Sequence, residues 1–325
     1  MKELELIEAI ERLSAGRGER VALRFGDDAA VVRARGAAVT SIDSLADGVH
    51  FERSTHSPAD VGWKALATAL SDLAAMGAQA GEAYLALALP RDFPAEEALE
   101  LVRGLEELAG DCGVTLAGGD VVRAGALVVT VAVTGWAEHE SRVVTRAGAR
   151  PGDLVGVTGS LGASAAGLLL LQGAVAQIGG DVRTYLVGRH RRPLPRLAAG
   201  SALAAAGARA MIDLSDGLAT DARHLAARSG TALRLNLERL PLAPGVADVA
   251  RAAGREPVEL AVAGGDDYEL LFAAPPRRRG EIERAVESAA GLPVAWLGAV
   301  ETGGGVVLTG ADGGPIEGLR GYEHA

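Results

Sequence analysis

Residues 209–228 read RAMIDLSDGLATDARHLAAR. The apolar run Arg209–Asp213 has the character of a strand, and Gly217–Arg228 has helical spacing. Between them Asp213 and Asp216 bracket Leu214 and Ser215, so two carboxylates stand where a strand turns into a helix. A lone aspartate in such a place is often only a turn residue or a helix cap, and Asp216 suits the cap of a helix starting at Gly217. The stretch has echoes, however. Leu-Ser-Asp recurs at Leu70, Ser71 and Asp72, while Gly-Gly-Asp occurs at Gly118–Asp120 and again at Gly264–Asp266. One copy of each falls in either half of the chain, which permits two α+β halves of related plan.

The surrounding pattern agrees. Leu4, Ile7 and Ile10 have helical spacing, and strand-like runs follow at Ala37–Asp43, Ala83–Leu89 and Leu127–Thr134. Ser57, Pro58 and Asp60 announce a helix with a capping box that runs to Met76, with Gly77 as its stop. A second helix is expected from Pro94 to Gly110. Arg142 to Asp153, charged and interrupted by Gly148, Pro151 and Gly152, reads as a hinge. We therefore expect domains at 1–141 and 142–325. Beyond the hinge, strands are expected at Leu154–Thr158, Ala232–Leu237, Leu270–Ala273, Val294–Gly298 and Val306–Leu308, with a helix after Gly162. Leu154 to Gly180 carries no charged side chain and is long enough to span a bilayer, but its glycines break it into strand, turn and short helix.

Glycine, 44 of 325 residues, is about twice as common as usual and marks many turns or close backbone approaches. The net charge of −10 argues against nucleic acid or an anionic membrane as partner. It would also repel a phosphate substrate unless divalent cations stood between them. The single cysteine, Cys112, excludes an internal disulfide and fits a reducing compartment, and the charged N-terminus is no signal peptide. A cytoplasmic location is expected.

Lys2 and Lys64 are the only lysines, and neither follows a glycine-rich loop, so a P-loop and a protein-kinase strand lysine are excluded. Aspartates at turns and strand ends remain: Asp28, Asp43, Asp72, Asp120, Asp213 and Asp216. Each alone has a bland explanation. As a set they supply the hard oxygen donors that Mg²⁺ prefers, usually one or two carboxylates with phosphate oxygens. Gly159–Gly167 punctuates a strand-to-helix turn and suits either a phosphate at a helix N-terminus or close helix–strand packing. Arg146 could hold phosphate bidentately, and His50 is either a ligand group or a core histidine.

Taken together, Gly26–Ala29, Ser41–Asp43 with Asp47–Phe51, Leu70–Gly77, Gly118–Asp120, Thr145–Asp153, Thr158–Gly162, Ile212–Leu218, Gly264–Leu271 and Gly321–His324 resemble the thiamine-monophosphate kinases, of the aminoimidazole-ribonucleotide-synthetase-like superfamily. The resemblance runs nearly end to end. It implies an α+β fold of two domains, with the N-terminal domain closing an intersubunit β-barrel in a homodimer. It implies ATP-dependent phosphorylation of thiamine monophosphate to thiamine diphosphate, in thiamine biosynthesis, by direct in-line transfer assisted by several Mg²⁺ ions. Matched positions imply metal ligands at Asp28, Ser41, Ile42 (through its carbonyl), Asp43, Asp72, Asp120, Asp213 and Asp216. They imply ATP contacts from Gly119, Asp120, Arg146 and Ser215, and substrate contacts from His50, Asp266 and Tyr322. No single catalytic base is assigned, because the acceptor phosphate is already ionised and needs alignment and charge neutralisation instead. Ile42 departs from the family, which often has a hydroxyl residue there. Asp27 and Asp267 read as structural.

Rival readings are weaker. Selenophosphate synthetase needs a reactive cysteine or selenocysteine near the N-terminus, and none precedes Cys112; the hydrogenase-maturation relative ends in a cysteine tail, whereas this chain ends Tyr322, Glu323, His324, Ala325. Aminoimidazole ribonucleotide synthetase fits poorly with Leu70–Gly77 and Gly264–Leu271. A non-catalytic nucleotide- or metal-binding regulator has only Ile42 in its favour.

Overall fold

In a computed structural model of the chain, Ser57 and Asp60 close the expected reciprocal pair: Ser57 N donates to the Asp60 carboxylate and Asp60 N to Ser57 Oγ, both at 3.2 Å. Two otherwise unpaired donors at the helix start are thereby satisfied. The structure describes residues 3–25, 28–316, 318, 319 and 321. The chain forms two compact units, Met1–Leu73 with Ala78–Glu140, and Ala74–Gly77 with Ser141–Ala325.

The first unit runs α1 (Glu3–Leu13), β1 (Val21–Leu23), β2 (Val31–Val32), β3 (Ala37–Ala46), α2 (Pro58–Ala75), β4 (Gln79–Pro90), α3 (Ala95–Cys112), β5 (Thr115–Ala124) and β6 (Val128–Ala137). Its main sheet has the order β3-β6-β4-β5, with β4 and β5 parallel and the other pairs antiparallel. Alternation sorts β3 cleanly. Val39 and Leu45 are buried, Ser41 and Asp43 share their face, and Ile42 points the other way, 67% exposed. α2 lies on the Ser41 face and touches α3 backbone to backbone. A β-carbon at Gly62 would stand 1.8 Å from the Leu101 carbonyl oxygen, and one at Gly104 would stand 1.9 Å from that of Ala59. Only glycine at both positions permits this approach.

The second unit adds β7 (Leu154–Thr158), α4 (Ala163–Leu171), α5 (Gly180–Arg191), α6 (Leu197–Ala205), β8 (Ala210–Asp213), α7 (Leu218–Ser229), β9 (Ala232–Asn236), α8 (Val246–Ala252), α9 (Pro257–Val262), β10 (Leu270–Ala274), α10 (Arg279–Ala290), β11 (Val294–Glu301) and β12 (Gly305–Thr309). The six-stranded sheet has the order β12-β9-β11-β7-β10-β8, and only β12–β9 is parallel. It is covered on both faces. Leu271, Ala273 and Ile212 pack with Leu218, Ala222 and Leu225 of α7, whereas Leu270, Phe272 and Met211 pack with Leu203 of α6 and Ile282 of α10. That is why β10 is apolar at every position instead of alternating. The uncharged stretch from Leu154 divides into β7 and the nine-residue α4. Among the described residues no helix is long and apolar enough to cross a membrane.

Candidate metal and phosphate-transfer site

In the first unit, strand alternation and the approach of α2 bring three of the expected ligands together. The Ser41 hydroxyl donates to Asp72 Oδ2, and Asp43 lies against Asp72. Asp43 Oδ2 is buried with no hydrogen-bond partner. Burial, and then the neighbouring Asp72 charge, push the Asp43 carboxyl up to about 6. Two carboxylates crowded together, one with an orphaned oxygen, suit a hard cation with oxygen ligands. Among the described residues no group of three or more His, Cys, Asp or Glu is arranged to hold a metal. An Mg²⁺ ion on this pair and its serine would need phosphate and water oxygens to complete its shell.

Asp120, Gly119, His50 and Asp28 are further first-unit candidates. Asp120 lies opposite Ala86 in the β4–β5 register, on the sheet face away from Ser41 and Asp43, and its Oδ1 accepts from Val121 N at 2.9 Å. Gly119, beside it, presses its backbone on Leu85, 2.0 Å from the carbonyl oxygen if it bore a β-carbon. His50 sits in the turn after β3, where Nδ1 accepts from Ala46 N at 3.1 Å. Asp28 is exposed, next to Gly26 and Asp27, which lie outside the described residues.

In the second unit, Asp213 ends β8 in a buried position, and Ser215 and Asp216 follow in a half-buried turn. The N-cap position of α7 is Gly217. The backbone N–H groups of Ser215, Asp216 and Gly217 all donate, at 3.1 Å, to Oδ2 of Asp221, one turn into that helix. Burial pushes the Asp221 carboxyl up to about 8, Asp213 and Asp216 add to the rise, and the amides oppose it. Gly321 comes back against this turn, since a β-carbon there would stand 2.3 Å from the Asp216 carbonyl oxygen. Tyr322, the next residue and an expected substrate contact, lies outside the described residues. Arg146 is exposed in the segment before β7, with its carbonyl accepting from Ser229 Oγ at 3.0 Å.

These features invite comparison with known proteins. Residues 26–137 match the N-terminal domain, and residues 150–311 the C-terminal domain, of AIR synthase related proteins. The thiamine-monophosphate kinase of Escherichia coli (strain K12) is 36% identical over 307 residues, covering 94% of this chain and 92% of the relative. The chain belongs to the thiamine-monophosphate kinase family. It is an enzyme with the two-domain α+β fold of that family. The crystal structure of thiamine-monophosphate kinase from Stenotrophomonas maltophilia K279a matches it with a TM-score of 0.82 at 34% identity over 96% of each chain. A further family structure, AaThiL complexed with AMPPCP and TMP, matches with a TM-score of 0.78 at 31% identity over 100% of this chain and 99% of its own.

Within this thiamine-monophosphate kinase family member, four amides of the glycine-rich turn after β7, those of Gly159, Leu161, Gly162 and Ser164, are taken by protein acceptors. Gly162 N (2.7 Å) and Ser164 N (3.3 Å) donate to the two carboxylate oxygens of buried Asp267, which caps α4 from a distant loop. Burial pushes the Asp267 carboxyl up to about 7, with the two amides and Arg189 opposing. Glu269, 1% exposed, accepts from Thr158 Oγ1 at 2.7 Å and from the Arg196 guanidinium. Gly159 must be glycine here: its φ is 59°, and a β-carbon would stand 2.4 Å from Glu269 Oε1. Asp221 and Glu269 were missed from sequence. For Asp221 the sequence carries a signal, a carboxylate one helical turn beyond the Gly217 start.

Proposed function

We propose that the chain transfers the γ-phosphoryl group of ATP to the phosphate of thiamine monophosphate, giving thiamine diphosphate and ADP, by direct in-line displacement. The observation behind this reading is the Ser41–Asp72–Asp43 cluster with its orphaned carboxylate oxygen, in a family whose members are named for that reaction. A relative has been captured with AMPPCP and TMP. An acceptor phosphate oxygen forms the new bond to the γ-phosphorus as the bond to the β-bridging oxygen breaks, and the electron pair leaves on ADP. No phosphoenzyme forms.

Ser41, Asp43 and Asp72 would hold Mg²⁺, with Asp213 and Asp216 as a second carboxylate group and Asp28, Asp120 and the Ile42 carbonyl as further ligands. Bound Mg²⁺ supplies neutralisation of the charge on the polyphosphate. Gly119, Asp120, Arg146 and Ser215 are the proposed ATP contacts, and His50, Asp266 and Tyr322 the proposed substrate contacts. Asp221 contributes by holding the Ser215–Gly217 turn in one conformation through three amides. We further propose a homodimer through the first unit. The outer face of its sheet presents Ile42 and Val122 (47% exposed) beside Thr40, Ser44, Thr130 and Thr134, and β3 is an unpaired edge.

The test is ADP release from Mg·ATP with and without thiamine monophosphate, with the product identified by mass. ADP that depends on thiamine monophosphate and is matched by thiamine diphosphate supports the reading. ADP without an acceptor product, or no turnover, overturns it. Light scattering on the eluting protein tests the dimer.

A further inference from the structure

Two loops of the second unit, assigned above to different substrates, are laced together through their backbones. Asp266 N donates to Ser215 O and Tyr268 N to Leu214 O, both at 2.9 Å, while Leu214 N donates back to Glu269 O at 2.8 Å. Asp266 (φ 64°) and Tyr268 (φ 51°) are the two non-glycine residues with positive φ among those described. Aspartate visits this left-handed region at modest cost because its short side chain can bond locally; a tyrosine has no such compensation. Such conformations persist only where the surroundings impose them. Asp267, between the two, supplies that constraint by its hold on the start of α4. The outcome is that Tyr268, 3% exposed, turns its phenol back over one residue and donates to Asp266 Oδ1 at 2.9 Å.

We propose that Tyr268 is a positioning residue for the acceptor, fixing the rotation of the Asp266 carboxylate that meets the substrate. This rests on the proposed function, in which Asp266 contacts thiamine monophosphate. A carboxylate is matched to the cationic heteroaromatic end of that molecule and not to its phosphate, so its orientation governs acceptor binding more than nucleotide binding. The backbone lacing makes the Asp266 loop continuous with the Ser215 turn, so the acceptor contact is held in register with the nucleotide contact.

Tyr268→Phe keeps the ring, the packing and the backbone conformation and removes only the phenol donor. Steady-state constants for both substrates are measured on this variant, on Asp266→Asn (asparagine also tolerates a left-handed φ) and on the wild type, together with melting temperatures. Tyr268→Phe is expected to raise KM for thiamine monophosphate about tenfold, the scale of one hydrogen bond to a charged group. KM for ATP and the melting temperature should hold. An unchanged acceptor KM in Tyr268→Phe, with a raised one in Asp266→Asn, overturns the positioning role alone. Equal rises in both KM values with a lowered melting temperature make Tyr268 merely structural and also overturn it. If Asp266→Asn turns over with an unchanged acceptor KM, Asp266 is no substrate contact and the proposal falls with that assignment. No wild-type turnover defeats the kinase reading itself.

Discussion

Replacing Glu269 by glutamine isolates one charge in the interior of the second unit. The carboxylate is 1% exposed, is held by the Arg196 guanidinium, and has Arg189 Nη2 3.7 Å from Oε1. Burial, and then the nearby Arg196 charge, already push Arg189 below its ordinary range, with Glu269 opposing the fall. Glutamine has the same shape and can still accept from Thr158 Oγ1, but it removes the carboxylate that holds Arg196 and leaves Asp267 as the nearby carboxylate facing Arg189. Breaking one side of a buried ion pair costs about 3–5 kcal/mol. In a unit of this length each kcal/mol lowers the melting temperature by roughly 2–4 °C, so the transition should fall by roughly 6–20 °C. Calorimetry on Glu269→Gln and on the double variant with Arg196→Met reads the effect. The double variant should recover part of the loss, because it removes the stranded charge. A fall under about 2 °C, or a double variant that melts below the single one by the full cost of each change, would refute the assignment of a buried ion pair.

Asp43→Asn should stabilise the metal-free protein while abolishing Mg²⁺-dependent turnover. Its carboxyl is raised from 3.8 to about 6 in the fold, so the penalty of ionising it grows as pH rises through that interval and is constant above. The gain in melting temperature should therefore be absent near pH 4 and full near pH 7; a gain at low pH alone would contradict the cause given. Gly104→Ala drives a methyl group into the Ala59 carbonyl where α3 meets α2, and should destabilise the first unit by more than about 2 kcal/mol in urea unfolding. Near-wild-type stability would mean that the helices are not in backbone contact. The Cys112 thiol, pushed up to about 11 by burial and then by Asp111, should stay protonated at neutral pH. Intact-mass measurement should find little alkylation by iodoacetamide at pH 7.5 without denaturant; rapid labelling would show the thiol to be more exposed and more acidic than this.

The legible parts of the fold were those whose signals are local. β3, β6, α2 and α3 came from alternation, helical spacing and the Ser57–Asp60 capping box. α5 and α10 were not legible, since each buries only two side chains, Leu186 with His190 and Ile282 with Val286, too few for an apolar period to show. The same divide runs through the candidate site. Ser41 and Asp43 could be read as neighbours on one strand face, and Asp72 as a helix residue, but their meeting depends on how α2 lies on the sheet. At the Asp216 turn a nearby carboxylate, and at Gly159–Gly167 a remote one, holds backbone amides in place. Asp221 takes the turn amides, and Asp267, 105 residues beyond Gly162, takes the α4 start. No short sequence window holds both Gly162 and Asp267.

The strand order of the second unit has a consequence for how the chain is made. β7 lies between β10 and β11, and the Thr158 hydroxyl accepts from Leu270 N across 112 residues of sequence. At about 5–20 residues per second, a ribosome needs roughly 6–22 s after finishing β7 to deliver its first neighbour. Over that interval an almost wholly apolar strand, with Val155 and Val157 destined for complete burial, has no edge to pair with. The helices α4 to α9 emerge during the wait, and their apolar faces are the shelter available to it. Slowing translation between residues 160 and 270 should therefore lower the yield of soluble protein, whereas the same delay after residue 310 should not.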